Sequence, residues 1–253
     1  MHVLDDPTGL SPLAQDLLRR TGRREPPAEP RLAGDFLRVR DRTGRQVPPP
    51  ALLLIRREGF EQRYGGLRYL VRGGGPRGAR EWVYDLHPGM WADPAGGWHF
   101  DWFGERVSSP VGYRVHTDGR AGVADGSGVF LEIAPSVPAL IESHALLDRF
   151  SGWERHTGAG HLAAAGHLAA AGHLAARCLD GLSDVPEASG RTVRWRISED
   201  LAVEEFQLWT SQLPRPWHAW IWTRDETARA RLDRALARSA ANGRAGGGPD
   251  PRR

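Results

Sequence analysis

Histidine and carboxylate side chains come close together in the sequence at two places, where they could bind a metal ion or transfer protons. His87 lies near Asp85 and Asp93, and His99 precedes Asp101 by two positions. Neither place has the H-x-x-H or H-E-x-x-H spacing that brings two imidazoles to one ion. We therefore interpret these residues as polar positions on a sheet and its loops, and we predict no metal, no cofactor and no catalytic residue.

Three more histidines, His161, His167 and His173, belong to a Gly-His-Leu-Ala-Ala-Ala repeat within residues 160–176. On a helix, a step of six residues turns the chain by about 600°, so the three rings would point in different directions. On a strand they would share a face, but successive rings would lie about 20 Å apart. A common metal ion is excluded in both cases, and we predict a helix or linker that was expanded by repetition.

The single cysteine, Cys178, excludes an internal disulfide framework. It follows an alanine-rich run, so we predict a small buried apolar residue and not a nucleophile. We predict that the glycines at 73–75 form a flexible bend. They are weak evidence for a phosphate-binding loop, because no Gly-Lys-Ser/Thr or G-x-G-x-x-G pattern accompanies them. These features together predict a protein that is not an enzyme.

The charge is distributed unevenly along the chain. All 34 basic residues are Arg, and the formal net charge of +3 does not by itself indicate a nucleic-acid-binding protein. Residues 19–80 hold 16 Arg against six acidic residues, and residues 81–150 hold four Arg against ten. The Arg-rich segments 19–45 and 224–253 make binding of nucleic acid or another polyanion the alternative function, although no recognised motif accompanies them.

The beginning of the sequence has no targeting pattern. Residues 1–6 lack the cationic start and the apolar run of a signal peptide. No apolar segment approaches the roughly 20 residues that span a bilayer. We therefore expect a soluble, cytoplasmic protein without a membrane partner.

The spacing of apolar residues predicts the elements that position these side chains. Helices are predicted over 10–20, 51–64, 137–150 and 225–239, with a short acidic helix over 200–209. Strands are predicted around the turn 41–44, over 67–71, as a three-stranded meander over 111–134, and over 192–197 and 217–222, with a polar loop over 184–190. Ser11, Ser136 and Asp225 are predicted helix caps, and Gly65-Gly66 ends the second helix.

The segment 81–103 combines large rings with carboxylates. Trp98, Phe100 and Trp102 alternate, which places a row of rings on one face of a strand. Trp and Tyr are common anchors of protein interfaces, and carboxylates steer association with a basic partner. The candidate partner-binding residues are Trp82, Tyr84, Asp85, Trp91, Asp93, Trp98, Asp101 and Glu105. A solvated acidic face over a tryptophan-filled core is the alternative interpretation.

The order of helix, Phe-Glu-x-x-Tyr-Gly-Gly-Leu, strand, aromatic section, Asp-Gly turn and closing helix resembles the SMI1/KNR4 (SUKH) superfamily. The resemblance covers roughly residues 48–150. The residues that carry it are Phe60, Glu61, Tyr64, Gly65, Gly66, Leu67, Asp118, Gly119, Ser136, Leu140, Ile141 and Glu142.

The resemblance implies an α+β fold with helices packed on a mixed, mainly antiparallel sheet. Bacterial members of the family are commonly immunity proteins that neutralise polymorphic toxins, often nucleases, by binding them, and they have no catalytic residues to carry over. The resemblance therefore implies that the partner is a cognate protein toxin or another protein. The predicted organisation is an N-terminal helix and tether (1–47), a SUKH-like core (48–155), a repeat helix or linker (156–180), a Trp-rich extension (181–239) and a disordered tail (240–253).

Overall fold

The structure, a computed structural model, describes residues 1–26, 38–73, 78–106, 112–124, 128–157, 179–207 and 217–245. In the last helix the side chains are described as far as residue 237. The following predicted features lie outside the described residues: the repeat with its three histidines, Cys178, most of the bend at 73–76, the Asp125-Gly126 turn, residues 27–37 and residues 246–253.

The described part of the chain contains four α-helices and fourteen strands. The strands form two sheets, the first mixed and the second antiparallel. The helices are α1 (Pro12–Thr21), α2 (Ala51–Tyr64), α3 (Val137–Arg149) and α4 (Glu226–Ala245). The strands are β1 (Arg23–Arg24), β2 (Val39–Arg40), β3 (Gln46–Val47), β4 (Leu67–Arg72), β5 (Ala79–Ala92), β6 (Trp98–Glu105), β7 (Gly112–His116), β8 (Ala121–Ala124), β9 (Phe130–Ala134), β10 (Glu154–Thr157), β11 (Ser183–Asp184), β12 (Val193–Ile197), β13 (Leu201–Gln207) and β14 (Trp217–Thr223).

The chain forms two compact units, each with its own sheet. Of the described residues, those within 1–151 and 187–192 form the first unit, and those within 152–186, 193–207 and 217–245 form the second. The first sheet has the order β1-β4-β5-β6-β7-β8-β9, with β2 beside β5, and the second has the order β10-β14-β13-β12-β11. The β2–β5 pair is parallel, and all other pairs in the described part are antiparallel. The predicted α+β class is confirmed.

The N-terminal helix belongs to the first unit and is not a separate appendage. Leu17 and Leu18 of α1 are buried in the same hydrophobic core as α2 and α3. The predicted cap Ser11 accepts a hydrogen bond from Ala14 N–H at 3.3 Å, and its own Oγ donates to Glu142 of α3 at 2.6 Å. The predicted boundary near residue 47 is therefore not a structural boundary. The predicted tether also begins as strand β1, because Arg23 and Arg24 pair with β4.

Helix α2 covers one face of the first sheet with aromatic side chains. Phe60 lies with its ring centre 5.5 Å from that of Phe100, and the rings of Tyr84 and Trp102 are 4.6 Å apart. Each such aromatic pair contributes about 0.5–1.5 kcal/mol beyond the burial of its area. Phe60 and Tyr64, which carry the resemblance, are thus core residues.

The junction between α2 and β4 is built from two glycines, and a Cβ at either would collide with backbone oxygen. Gly65 N–H donates to Glu61 O at 2.8 Å and closes the helix. Gly66 then adopts a φ of +76°, and a Cβ at this position would lie 1.9 Å from Glu25 O. Glu25 N–H donates to Gly66 O at 2.8 Å, which fixes this close approach. A residue with a side chain would meet both backbone strain and a collision with the β1 segment.

The second unit packs α4 on one face of its sheet. Leu201, Val203 and Ile221 of the strands are buried with Ala228 and Leu232 of the helix. The predicted N-terminal cap of α4 is confirmed, because Asp225 Oδ1 accepts a hydrogen bond from Ala228 N–H at 3.0 Å.

Three predictions for residues 184–245 need correction. The acidic helix predicted over 200–209 is wrong, because residues 201–207 form β13 and pair with β12 on one edge and β14 on the other. The predicted loop 184–190 contains the end of β11 and a short 3₁₀-helix, Pro186–Ala188. Helix α4 continues to Ala245, six residues past its predicted end, since residues 240–245 include three alanines with high helix propensity.

No helix in the described ranges is both long and apolar enough to cross a bilayer.

Candidate functional site

The structure divides the predicted partner-binding residues between the core and the surface. Trp82 and Tyr84 point towards the helices and are buried, and the Trp82 ring centre lies 3.9 Å from that of His144 in α3. Asp85 and Asp93 are also buried. The prediction that these four side chains contact a partner is wrong, because the first unit itself covers them.

The acidic members of the predicted surface are engaged in ion pairs. Asp85 bonds to Arg68 at 2.9 Å, and Glu105 lies 3.3 Å from Arg80. Both cations come from the Arg-rich section 19–80, because β4 and the start of β5 lie beside the acidic strands. Asp93 lies 3.8 Å from His116. These carboxylates therefore form no free acidic surface, contrary to the prediction.

Trp91 is exposed and at the same time held in a fixed orientation. The side chain is on the face of the sheet opposite to α2, and 44% of Trp91 is exposed. Its Nε1–H donates to Asp101 Oδ2 at 2.8 Å, and the Arg114 guanidinium carbon lies 5.5 Å from its ring centre. Asp101 Oδ1 in turn forms an ion pair with Arg114 Nε at 2.9 Å. A Cβ at Gly89 would lie 2.0 Å from Asp101 Oδ2, so this arrangement needs glycine there.

Two more rings lie on the same open face. Phe103 alternates with the buried Phe100 and Trp102 and is 46% exposed. The exposed His87 meets the Phe103 ring edge-on, with 5.8 Å between ring centres. We call Trp91, Phe103 and His87 the aromatic patch.

Sequence reasoning named Trp91 and Asp101 but missed Phe103, Arg114 and Gly89 as parts of one surface. The alternation along β6 could have revealed Phe103, because side chains two positions apart share a face and Phe103 follows Asp101 by two positions. Trp98, the remaining candidate, is half-buried and packs against the core of the first unit.

The first unit also has an apolar groove on the side that carries the helices. It has a volume of about 640 Å³ and lies between α2, the β7–β8 turn and the start of α3. Its lining residues are Leu52, Ile55, Arg56, Gly59, Phe60, Arg63, Tyr64, Val115, Asp118, Gly119, Pro135, Ser136, Val137 and Pro138. Leu52 and Ile55 are 56% and 67% exposed, so two large apolar side chains of α2 have no cover within the unit.

One buried polar network could be taken for catalytic machinery. Tyr69 Oη lies 2.7 Å from Tyr84 Oη and 2.6 Å from His144 Nδ1. Burial lowers the pKa of His144 to about 3 and raises the pKa of Tyr84 far above its usual range. All three groups are enclosed by the core, so they form a structural network that ties α3 to β4 and β5.

Two histidines of the first sheet, His99 and His116, have partners within the unit. His99 is buried against the Phe130 ring, and burial lowers its pKa to about 3. His116 Nε2 donates to Gly96 O at 2.9 Å, and Nδ1 lies 2.9 Å from Asp118. The part of the chain that the structure describes contains no group of three His, Cys, Asp or Glu side chains placed to hold a metal ion.

The sequence and the structure were compared with protein-family models, curated proteins and solved structures, and none of them matches. The resemblance to the SUKH superfamily therefore stays a prediction. The function is inferred from the geometry of the aromatic patch and the apolar groove.

Proposed function

We propose that this chain is a cytoplasmic, non-enzymatic binding protein of the SUKH immunity type, which neutralises a cognate protein toxin by direct binding. The observation that carries the proposal is Trp91, an exposed indole that Asp101 and Arg114 hold in one orientation. Trp and Arg are the residues most enriched at the energetic centres of protein interfaces.

The fixed orientation of Trp91 favours binding for two physical reasons. The indole loses little rotational freedom when a partner covers it, because its hydrogen bond already restricts it. The charges beneath it are already paired, so covering the patch leaves no isolated buried carboxylate or guanidinium. Phe103 adds exposed apolar area farther along β6 on the same face.

The positions of the other chemistry-bearing groups support a binding protein over an enzyme. His99 and His144 are buried with strongly lowered pKa values, so they are neutral near pH 7 and enclosed. Glu142, which carries part of the family resemblance, is used to hold Ser11 of α1. These residues serve the fold that presents the patch.

The polyanion-binding alternative is not adopted. Several cations of the Arg-rich segments are bound to carboxylates of their own unit: Arg20 to Asp148 at 2.9 Å, Arg23 to Glu81, Arg229 to Glu154 at 2.5 Å and Arg231 to Asp200 at 2.7 Å. Phosphates would have to compete with these ion pairs, which weakens the case for a basic surface.

The proposal is tested by co-expression with the products of the genes adjacent to its own. We expect one of them to be toxic, to co-purify with the full chain and to be neutralised by it. Trp91→Ala should weaken that complex by about 30-fold or more, the loss typical of a central anchor. Leu70→Ala is the matched control, because Leu70 is an exposed apolar residue that pairs with Glu81, at the other end of β5 from Trp91.

Two results would count against the proposal. The immunity function is wrong if no adjacent product binds or is neutralised. If a product binds but Trp91→Ala retains wild-type affinity, the aromatic patch is not the binding surface.

A further inference from the structure

The apolar groove beside α2 is a second surface, separate from the aromatic patch. It lies on the helix-covered side of the first sheet, whereas the patch lies on the open side. Leu52, Ile55 and Gly59 follow one another at spacings of three and four along α2, so they form one stripe on the helix surface. This stripe is distinct from the inward one, which contains Leu53, Phe60 and Tyr64. Helix α2 therefore presents apolar side chains to two sides, and the fold covers only one.

Gly59 points to a close contact that the unit itself does not make. A glycine inside a helix destabilises it relative to alanine, so such a position usually has a structural reason. An added Cβ at Gly59 would have no atom within 4 Å, and no packing within the unit therefore requires glycine. Without a side chain at this position, the backbone of another segment can approach α2 between Ile55 and Arg63.

The charges around the groove favour an acidic occupant. Arg56 and Arg63 line it from α2, and the positive N-terminal end of α3 lines it at Ser136. The Arg63 guanidinium is engaged by the N-terminal segment, since it donates to Met1 O at 3.2 Å and to Thr8 O at 3.3 Å and lies 3.9 Å from Asp6. Arg56 is therefore the main cation offered to an occupant. The one carboxylate among the lining residues, Asp118, is already bound to Arg120 at 2.7 Å and to His116 at 2.9 Å. The acidic residues of α2, Glu58 and Glu61, are not among the lining residues.

We propose that this groove binds an acidic amphipathic helix of a partner protein. Its apolar side chains pack on Leu52 and Ile55, its backbone approaches Gly59, and a carboxylate pairs with Arg56. An amphipathic helix fits because it offers apolar side chains at the same three- and four-residue spacing as the stripe on α2.

The experiment uses the full chain and two bridged helical peptides labelled with fluorescein. One peptide has Leu at alternating steps of three and four residues with Glu at the other positions, and the second has Lys in place of Glu. Fluorescence anisotropy at low salt should show the acidic peptide bound at least about tenfold more tightly than the basic one. Added salt should weaken the acidic complex, because its charge pairs lie at the surface.

Four variants locate the site. Ile55→Glu and Gly59→Leu should each weaken binding of the acidic peptide by about tenfold or more. Arg56→Glu should reduce the preference for the acidic peptide. Gly59→Ala adds only a methyl group in open space and favours the helix, so it should fold and still weaken binding. Leu70→Glu, a comparable change on the open face, is the control and should bind as the wild type does.

Three outcomes would overturn the proposal. The first is equal affinity for the two peptides, or no binding of the acidic peptide below about 1 mM. The second is unchanged affinity in Ile55→Glu and Gly59→Leu, or a loss caused by Trp91→Ala instead. The third is a change of sedimentation from dimer to monomer in the groove variants, which would assign the groove to a second copy of the chain. None of these outcomes depends on whether an adjacent gene product is neutralised.

Discussion

The two faces of the first sheet use the same aromatic residue types in different ways. On the helix-covered face, Tyr84, Phe100 and Trp102 pack ring against ring beneath α2 and are almost completely buried. On the open face, Trp91 and Phe103 are nearly half exposed, although both lie on the same two strands, β5 and β6. The first set stabilises the unit, and the second is available to a partner.

The difference lies in how each ring is held. A buried ring is fixed by close packing on all sides, so its removal leaves a cavity. Trp91 is fixed by one hydrogen bond and one guanidinium, so its removal leaves a solvated surface. Substitutions of rings on the covered face should therefore lower the free energy of unfolding, and substitutions on the open face should weaken partner binding.

The largest loss of stability is expected from a substitution at the junction between α2 and β4. Gly66→Val places a β-branched side chain at positive φ and against Glu25 O, and we expect a loss of more than about 4 kcal/mol that leaves the first unit unfolded. Circular dichroism and urea unfolding measure this. Gly59→Ala is the matched control and should raise stability by about 0.5–1 kcal/mol. A folded Gly66→Val variant with wild-type stability would show that this junction is not essential.

Truncation of a buried ring on the covered face should cause the next largest loss of stability. Trp102→Ala removes a buried ring from contact with Tyr84 and Phe60, and we expect a loss of about 3–5 kcal/mol in the free energy of unfolding. The urea midpoint followed by circular dichroism measures it. A loss below about 1 kcal/mol would mean that this ring is not part of a close-packed core.

Two buried histidines should also make stability depend on pH: His144 of α3, and His99, which pairs with Trp91 and lies on the same face of the sheet as that residue. His99 and His144 have a folded-state pKa of about 3, below the usual 6.5, because burial disfavours their charged form. As the pH falls below 6.5, the unfolded chain takes up protons at these sites while the folded chain does not, so stability decreases. Each site contributes up to about 1.4 kcal/mol per pH unit. His144→Gln should reduce the slope of unfolding free energy between pH 6 and 4.5 by one such contribution, and an unchanged slope would contradict the assignment.

The smallest effect on stability is expected on the open face. Trp91→Ala removes an exposed ring and leaves the Asp101–Arg114 pair in place, so we expect a loss of less than about 1 kcal/mol. The same urea titration used for Trp102→Ala makes the two values directly comparable. If both variants lost the same stability, the distinction between the two faces would fail.

Much of the local structure was predictable because local residues determine it. The caps Ser11, Ser136 and Asp225 each accept the expected backbone N–H at the start of a helix. The turn at 41–44 and the meander of β7, β8 and β9 followed from turn residues between β-prone runs. Strand β13 was missed because Glu204 and Glu205 suggested a helix, and only the ladders on both edges make this segment a strand.

The candidate site was only partly predictable. Strand β5 has fourteen residues, and its pairing with β6 shifts register between Val83 and Leu86 and again between Leu86 and Met90. Each shift changes which side chains share a face, so period-two counting from Trp82 does not give the side on which Trp91 lies. The groove required three elements that are far apart in the sequence to come together.

The sequence by itself determined the α+β class, the capped helix starts, the glycine junction at Gly66 and the abundance of rings in β5 and β6. Only the tertiary structure decided which rings are buried, and it paired the acidic section with the basic one through Arg68–Asp85, Arg80–Glu105 and Arg72–Asp148. The physical reason is that caps and turns depend on backbone preferences within a few residues. Burial and charge pairing depend instead on which strand lies beside which.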